Sequence, residues 1–92
     1  MPLEFSWNRE KAAGNRRKHG VSFEEASTTF GDPLSITVPD PEHSDDETRF
    51  VLLGRSFLGK LLVIVHSERE SGIRIISARE ATRAERRDYE QG

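Results

Sequence analysis

Residues 60–77 read Lys60-Leu-Leu-Val-Ile-Val-His66-Ser-Glu-Arg-Glu-Ser-Gly72-Ile-Arg-Ile-Ile-Ser77. Lys60–His66 (KLLVIVH) is apolar at successive positions, so it fits neither a half-solvated strand nor a helix with one polar face. Such a run predicts a central strand covered on both sides. Glu70-Ser71-Gly72 marks a turn, and Ile73–Ser77 (IRIIS) predicts the next strand, with Arg74 on the face opposite Ile73 and Ile75. Working backward, Leu58-Gly59 is a tight turn and Thr48–Arg55 (TRFVLLGR) is a strand. Leu34–Val38 is another, joined to it by a Pro- and Asp-rich loop over 39–46. Three strands joined by short turns predict an antiparallel meander, within an antiparallel sheet of about four strands.

The flanks read as helical. Leu3–Trp7 is a short strand, after which Asn8 suits the N-cap of a helix running to about Lys18 and closed by Gly20. That helix is weakly amphipathic, with only Ala12 and Ala13 apolar in its middle. Ser22 and Glu25 have capping-box spacing for a second helix, which Gly31-Asp32-Pro33 stops. Its apolar face carries Phe23, Ala26 and Phe30. Ser77 and Glu80 repeat the spacing, predicting a final helix over about Ala78–Tyr89 with Arg79 in its first turn. Helices at the ends and strands between make a small α+β fold in one domain, residues 1–92.

The 92 residues are 34% apolar and 33% charged, which allows one thin core. With no cysteine, disulfide scaffolds, thiolate zinc sites and cysteine nucleophiles are excluded. No run reaches the length of a membrane span, and the first twenty residues lack a signal-like apolar stretch, so a cytoplasmic protein is expected. The net charge of −2 conceals three blocks. Residues 1–20 carry five basic and two acidic groups, residues 21–48 eight acidic and none basic, and residues 49–92 nine basic and six acidic. Eleven of the fourteen cations are Arg, whose planar fork suits phosphate.

The chemistry is bounded by absence and presence. There is no HExxH, Walker, GxGxxG or GxSxG motif, and the His spacing offers no helix-spaced metal pair. The acidic 40–47 segment lacks the glycine of a calcium loop. His19 reads first as a helix C-terminal cation, His43 as a solvated loop residue and His66 as a structural histidine. Arg69, Arg74, Arg79 and Arg83 concentrate cations near the last two strands. Each alone suits an ion pair; together they suit a polyanion. Metal-free RNA cleavage needs a base for the 2′-hydroxyl, cations for the dianionic phosphorane and an acid for the 5′-oxygen. Glu68, Arg69, Arg74, Arg79, Lys18 and His19 supply those types.

Longer motifs narrow this. Phe5-Ser6-Trp7-Asn8 leads into Asn15-Arg16-Arg17-Lys18-His19-Gly20-Val21-Ser22-Phe23-Glu24-Glu25-Ala26, then Phe30-Gly31-Asp32-Pro33. His43-Ser44 with Glu47 and Arg49, Ser67-Glu68-Arg69, Arg74-Ile75-Ile76-Ser77-Ala78-Arg79 and Glu85-Arg86-Arg87 with Tyr89 follow in order. The chain resembles the BrnT family of bacterial toxins over nearly its whole length. The resemblance implies a RelE-like fold and a metal-independent endoribonuclease of a type II toxin–antitoxin pair, without cofactor. It implies a BrnA-type ribbon-helix-helix antitoxin, two toxins with two antitoxins, and operator DNA bound through the antitoxin. It makes Arg69 and Arg79 the first active-site candidates, for phosphate and transition-state stabilisation. Glu68 or His19 follows as general base, with Lys18, Arg74 and Arg83 on RNA. His66-Ser67 stands where an aromatic followed by Thr or Ser is usual in such sequences. A competing expectation is an inactive toxin-like co-repressor; a third is an unrelated α+β domain with surface arginines.

Overall fold

The computed structural model describes residues 4–40 and 48–92; Leu3, His43 and the rest of the acidic 41–47 segment lie outside the described residues. The order is β1 (Phe5–Ser6), α1 (Arg9–His19), α2 (Phe23–Thr28), a 3-10 turn (Thr29–Gly31), β2 (Ile36–Pro39), β3 (Arg49–Arg55), β4 (Leu61–Arg69), β5 (Gly72–Glu80) and α3 (Arg83–Gln91). β2 through β5 form the expected antiparallel meander. β1 then adds to β5 in parallel, so the sheet is mixed and five-stranded, ordered β1-β5-β4-β3-β2. The expected antiparallel sheet of about four strands is thus extended by the short strand read at Leu3–Trp7, which is β1 and joins the sheet in parallel over two residues. β4 is central, as its apolar run requires.

α1 and α2 cover one face of the sheet. Val21, Phe23 and Ala26 pack there against Leu52, Leu62, Ile64, Ile75 and Ala78, with Phe5, Trp7, Ala12 and Phe30 around them. The caps of α1 match the expectation. Asn8 accepts the Lys11 amide at 3.0 Å, and Gly20, at φ 71°, sends its N–H to the Arg16 carbonyl. Since α1 contributes little apolar surface, it is attached chiefly by Asn15. The buried Asn15 amide donates to the Val21 carbonyl at 3.0 Å and to the Ala78 carbonyl at 2.8 Å, and accepts the Ala78 N–H at 3.1 Å. β1 pairs with β5 only at Ile73 and Arg74. At Ala78 the Asn15 side chain stands in for the missing strand, with the same donor and acceptor a backbone would offer. Where β1 does pair, the backbones approach so closely that a Cβ on Gly72, at φ 136°, would collide with the Glu4 carbonyl oxygen.

One irregularity orders the other face. Val65 pairs with Ser77 and His66 with Ile75, leaving Ile76 as an extra residue, a β-bulge. In a regular strand Arg74 and Arg79, five apart, would project to opposite faces. The bulge shifts the alternation, so both lie on the face away from α1 and α2, while Ile75 and Ala78 both reach the core.

The last helix differs from expectation. Ala78, Arg79 and Glu80 belong to β5, and α3 begins at Arg83 with Thr82 as N-cap and Glu85 closing the capping box. Ser77–Glu80 and Thr82–Glu85 have the same spacing. Burial of Ala78 and its bonds to Asn15 hold the first pair in the strand. At the second helix only half of the box forms: Ser22 accepts the Glu25 amide, but the Glu25 carboxylate turns inward and accepts the Ser56 hydroxyl at 2.7 Å. The remaining shifts are at element ends: the strand expected over Leu34–Val38 is β2, Ile36–Pro39.

Asn15→Ala leaves both polar groups of Ala78 and the Val21 carbonyl without their bonds. We expect a loss of about 2–4 kcal/mol and, at about 4–8 °C per kcal/mol, a fall in Tm of about 8–32 °C by thermal circular dichroism.

Candidate active site

The second face of the sheet carries the arginines. Odd-numbered β3 and β4 residues point there: Arg49, Val51, Leu53 and Arg55, then Leu61, Val63, Val65, Ser67 and Arg69. α3 crosses one end of this face. Its Tyr89 is buried, its hydroxyl donates to Asp32 at 2.6 Å, and the Arg55 guanidinium lies over its ring at 5.5 Å. Asp32 also accepts the Arg55 and Leu34 amides. Burial pushes the Asp32 carboxyl up, but the bonds from Tyr89, Arg55 and Leu34 outweigh it and hold it below its ordinary value. The bond to Asp32 in turn raises the Tyr89 phenol. The Gly31-Asp32-Pro33 motif therefore anchors α3 as well as ending the second helix. Between α3 and β2 an apolar cleft of about 200 Å³ is lined by Ile36, Val38, Val51, Leu53 and Val63, with Glu85 and Asp88 at its rim.

Arg79 fixes the other end of α3. Its guanidinium donates to both Glu85 oxygens, at 2.8 and 2.9 Å. The hydrogen bond from Arg79, partly opposed by burial, brings Glu85 to about 2, and the same bond raises Arg79. Arg79 therefore opens no helix. It stands on the strand and binds the acid that the helix dipole favours in the first turn of α3.

The hairpin end of this face, away from α3, holds Arg69 and Arg74. Arg69 pairs with Gly72 and Arg74 with Ser67. The two arginines are therefore diagonal neighbours on one face, about 7–8 Å apart at Cα. Glu68 lies at the same end, exposed, but strand alternation sends it to the helix-covered face in register with Ile73. Lys18 and His19 close α1 at the opposite end: Gly20 borders a pocket with Leu58 and Lys60, beyond the start of β4. The length of β4, nine residues, separates that pocket from Arg69 by about 26 Å. Arg83 is exposed in the first turn of α3. The structure thus brings Arg69, Arg74 and Arg79 onto one face, sets Glu68 beside their edge and leaves Lys18 and His19 apart. His43 lies outside the described residues.

Two residues of this face escaped the sequence reading of the site. Arg49 pairs directly with Ser67, so Arg49, Ser67 and Arg74 form one cross-strand row, which Ser6 extends on β1. Asp40 bonds through its amide to the Arg49 carbonyl and continues the row past β2. Both Arg49 and Ser67 were visible inside motifs. Their proximity to Arg69 and Arg74 needed the strand register.

His66 is on the covered face, between Phe30 at 4.8 Å and Phe50 at 5.8 Å between ring centroids. Burial lowers it to about 4, so it is neutral at pH 7. Among the described residues, no group of three or more His, Asp or Glu is arranged to hold a metal, and no helix is long and apolar enough to cross a membrane.

Two pH predictions follow from these groups. His66 titrates at about 4 in the fold against an ordinary 6.5. The unfolded chain thus takes up the proton first as pH falls. Stability is complete above pH 6.5 and declines towards pH 4, by roughly 3 kcal/mol. His66→Phe should flatten that decline in thermal melts. Glu85 is depressed instead, so its contribution is present above its ordinary 4.5 and is lost as pH falls through about 2. At pH 7 Glu85→Gln should cost about 1 kcal/mol, because the pair is half-exposed and screened.

Comparison with known proteins identifies the family and the fold. A model of the ribonuclease toxin BrnT of type II toxin–antitoxin systems matches residues 7–85. No curated protein sequence matches the chain. Among solved structures, the 1.1 Å crystal structure of the Brucella abortus ribonuclease toxin BrnT superposes with a TM-score of 0.64 at 19% identity. That alignment covers 89% of this chain and all of the other. At that identity the superposition establishes the α+β fold, and the family model establishes membership: the chain belongs to the BrnT family of type II toxin–antitoxin toxins.

Proposed function

We propose that the chain is a metal-independent endoribonuclease that arrests growth by cleaving RNA in the cytoplasm. The observation that carries the reading is the pair Arg69 and Arg74, set diagonally on one sheet face at the hairpin end, away from α3. A phosphodiester that takes the place of the present partners of Arg69 and Arg74 meets two planar cationic forks, which stabilise a dianionic phosphorane better than a monoanionic ground state. The 2′-hydroxyl loses its proton to a base and attacks phosphorus. The P–O5′ bond breaks, and the leaving oxygen takes a proton, giving a 2′,3′-cyclic phosphate and a 5′-hydroxyl. No external oxidant, reductant or water is consumed in that step.

Glu68 and His19 are the candidate bases. Glu68 shares the hairpin end with Arg69 but projects to the opposite face, so it would act only around the end of the strand; His19 lies a strand's length away. Arg79 serves the transition state only by exchanging Glu85 for phosphate. Lys18 and Arg83 lie outside the hairpin end and are assigned to more distant RNA contacts. A BrnA-type ribbon-helix-helix antitoxin is proposed to neutralise the toxin, as two toxins with two antitoxins. The complex then holds operator DNA through the antitoxin and autoregulates its operon. One observation favours a second reading, a catalytically inactive co-repressor: the Arg79 fork is already occupied on both nitrogens by Glu85.

The purified chain, without added metal and with chelator, should cleave a mixed-sequence RNA to products ending in 2′,3′-cyclic phosphate. Arg69→Ala should lower kcat about 100-fold with Tm unchanged, since the residue is exposed. A folded, antitoxin-binding chain that leaves RNA intact establishes the co-repressor instead.

A further inference from the structure

The turn between β3 and β4 presents two large apolar side chains to solvent. Phe57 is 71% exposed and Leu58 59%, side by side at its tip. The turn is held by its backbone and by hydroxyl groups. The Ser56 amide donates to the Lys60 carbonyl at 2.8 Å, and the Gly59 amide, at φ 83°, donates to the Ser56 carbonyl at 2.9 Å. The Phe57 amide donates to Thr28 Oγ1 at 3.0 Å, which fastens the turn to α2. None of these bonds uses the side chain of Phe57 or Leu58, and tight turns ordinarily carry polar residues. Beside the two side chains opens a cleft of about 330 Å³, walled also by Arg16, Lys60, Glu24 and Glu25. Glu25 is buried and accepts the Ser56 hydroxyl, so its carboxylate is engaged within the fold. Arg16 and Lys60 are exposed and have no ion-pair partner among the described residues. The last turn of α1 continues the positive charge with Arg17 and Lys18.

We propose that this patch is where the antitoxin docks: Phe57 and Leu58 take the apolar face of an acidic amphipathic segment of that partner, and its Asp or Glu side chains reach Arg16 and Lys60. The inference rests on the toxin–antitoxin reading and deepens it by giving the partner a surface and a chemistry. A turn already fixed by its own hydrogen bonds displays an aromatic anchor with little ordering cost on association. The cations flank apolar residues, so the occupant must carry both kinds of group at short spacing. A peptide does so, and it places its acids only where the cations stand. A nucleic acid brings a charge with every phosphate into a cleft that also holds Glu24, and Leu58 offers its bases no ring to stack on. The patch lies beyond the start of β4, a strand's length from Arg69, so docking here is separable from the chemistry of the hairpin end.

The test uses the antitoxin encoded next to this chain's gene, purified and titrated onto the toxin, with rates from surface plasmon resonance. Phe57→Ser should weaken binding about 30-fold and Leu58→Ser about tenfold. The Tm of the free toxin should be unchanged in both, because both side chains are exposed. Arg16→Glu with Lys60→Glu should slow association about tenfold, and more at low salt than at high. Antitoxin affinity that survives all four substitutions overturns the docking surface and leaves the toxin–antitoxin reading standing. Loss of binding in Val38→Ser with Phe57→Ser unaffected also overturns it, by placing the partner in the cleft between α3 and β2. So does a patch that serves RNA, seen as weaker binding of a 2′-O-methyl oligoribonucleotide by Phe57→Ser with antitoxin affinity intact. A folded wild-type chain that does not bind the antitoxin overturns the toxin–antitoxin reading and the docking surface together.

Discussion

Three hydrogen bonds from one side chain join the two halves of this molecule. Asn15 is the buried residue of a helix that otherwise has almost nothing apolar to offer, and it ties that helix to Val21 and to both polar groups of Ala78. An apolar residue of the same size would leave the Ala78 edge open, because β1 ends too early to cover it. The arrangement explains how a chain with only 34% apolar residues closes a core: part of the attachment that hydrophobic area supplies elsewhere is supplied here by a satisfied buried amide. It also holds Ala78 in the strand, which delays α3 until Thr82 and leaves Arg79 projecting from the sheet.

The division of labour between the two faces follows from that edge. The helix-covered face is dry and contains the neutral His66 between two phenylalanine rings. The other face carries α3. At one end α3 is pinned through Tyr89–Asp32 and Arg79–Glu85, two contacts that use polar atoms because the helix is otherwise strongly charged. At the other end Arg49, Ser67, Arg69 and Arg74 sit on a rigid sheet. Side chains on paired strands are held at fixed spacing by the register of the sheet.

The bulge at Ile76 determines the chemistry of that end. Without it, Arg74 would share the face of α1 and α2, and Ile75 would point out opposite Ser67. Every later residue of β5 would keep its place, so the whole difference lies in one unpaired position. Arg74 joins Arg69 and Ser67 only because the alternation slips once.

Much of this was legible in the residues. The run Lys60–His66 placed a central strand, the caps Asn8, Gly20 and Ser22 bounded the first two helices, and the ordered motif blocks indicated the family. These are local signals, carried by neighbours in the chain. The start of α3 was not legible, because Ser77–Glu80 and Thr82–Glu85 offer the same spacing and only the burial of Ala78 separates them. Nor was the division of the site residues. Glu68 and Arg69 are adjacent in sequence yet alternate across the sheet, and His19 is a strand's length from both. Arg49 and Ser67, eighteen residues apart, meet side by side. The sequence by itself determined where most of the strands and helices lie, though not the boundary of β5 and α3, and which chemical groups are present. Only the tertiary structure decided which groups share a face, since that depends on strand register, on a single bulge and on where one asparagine ends the pairing of β1.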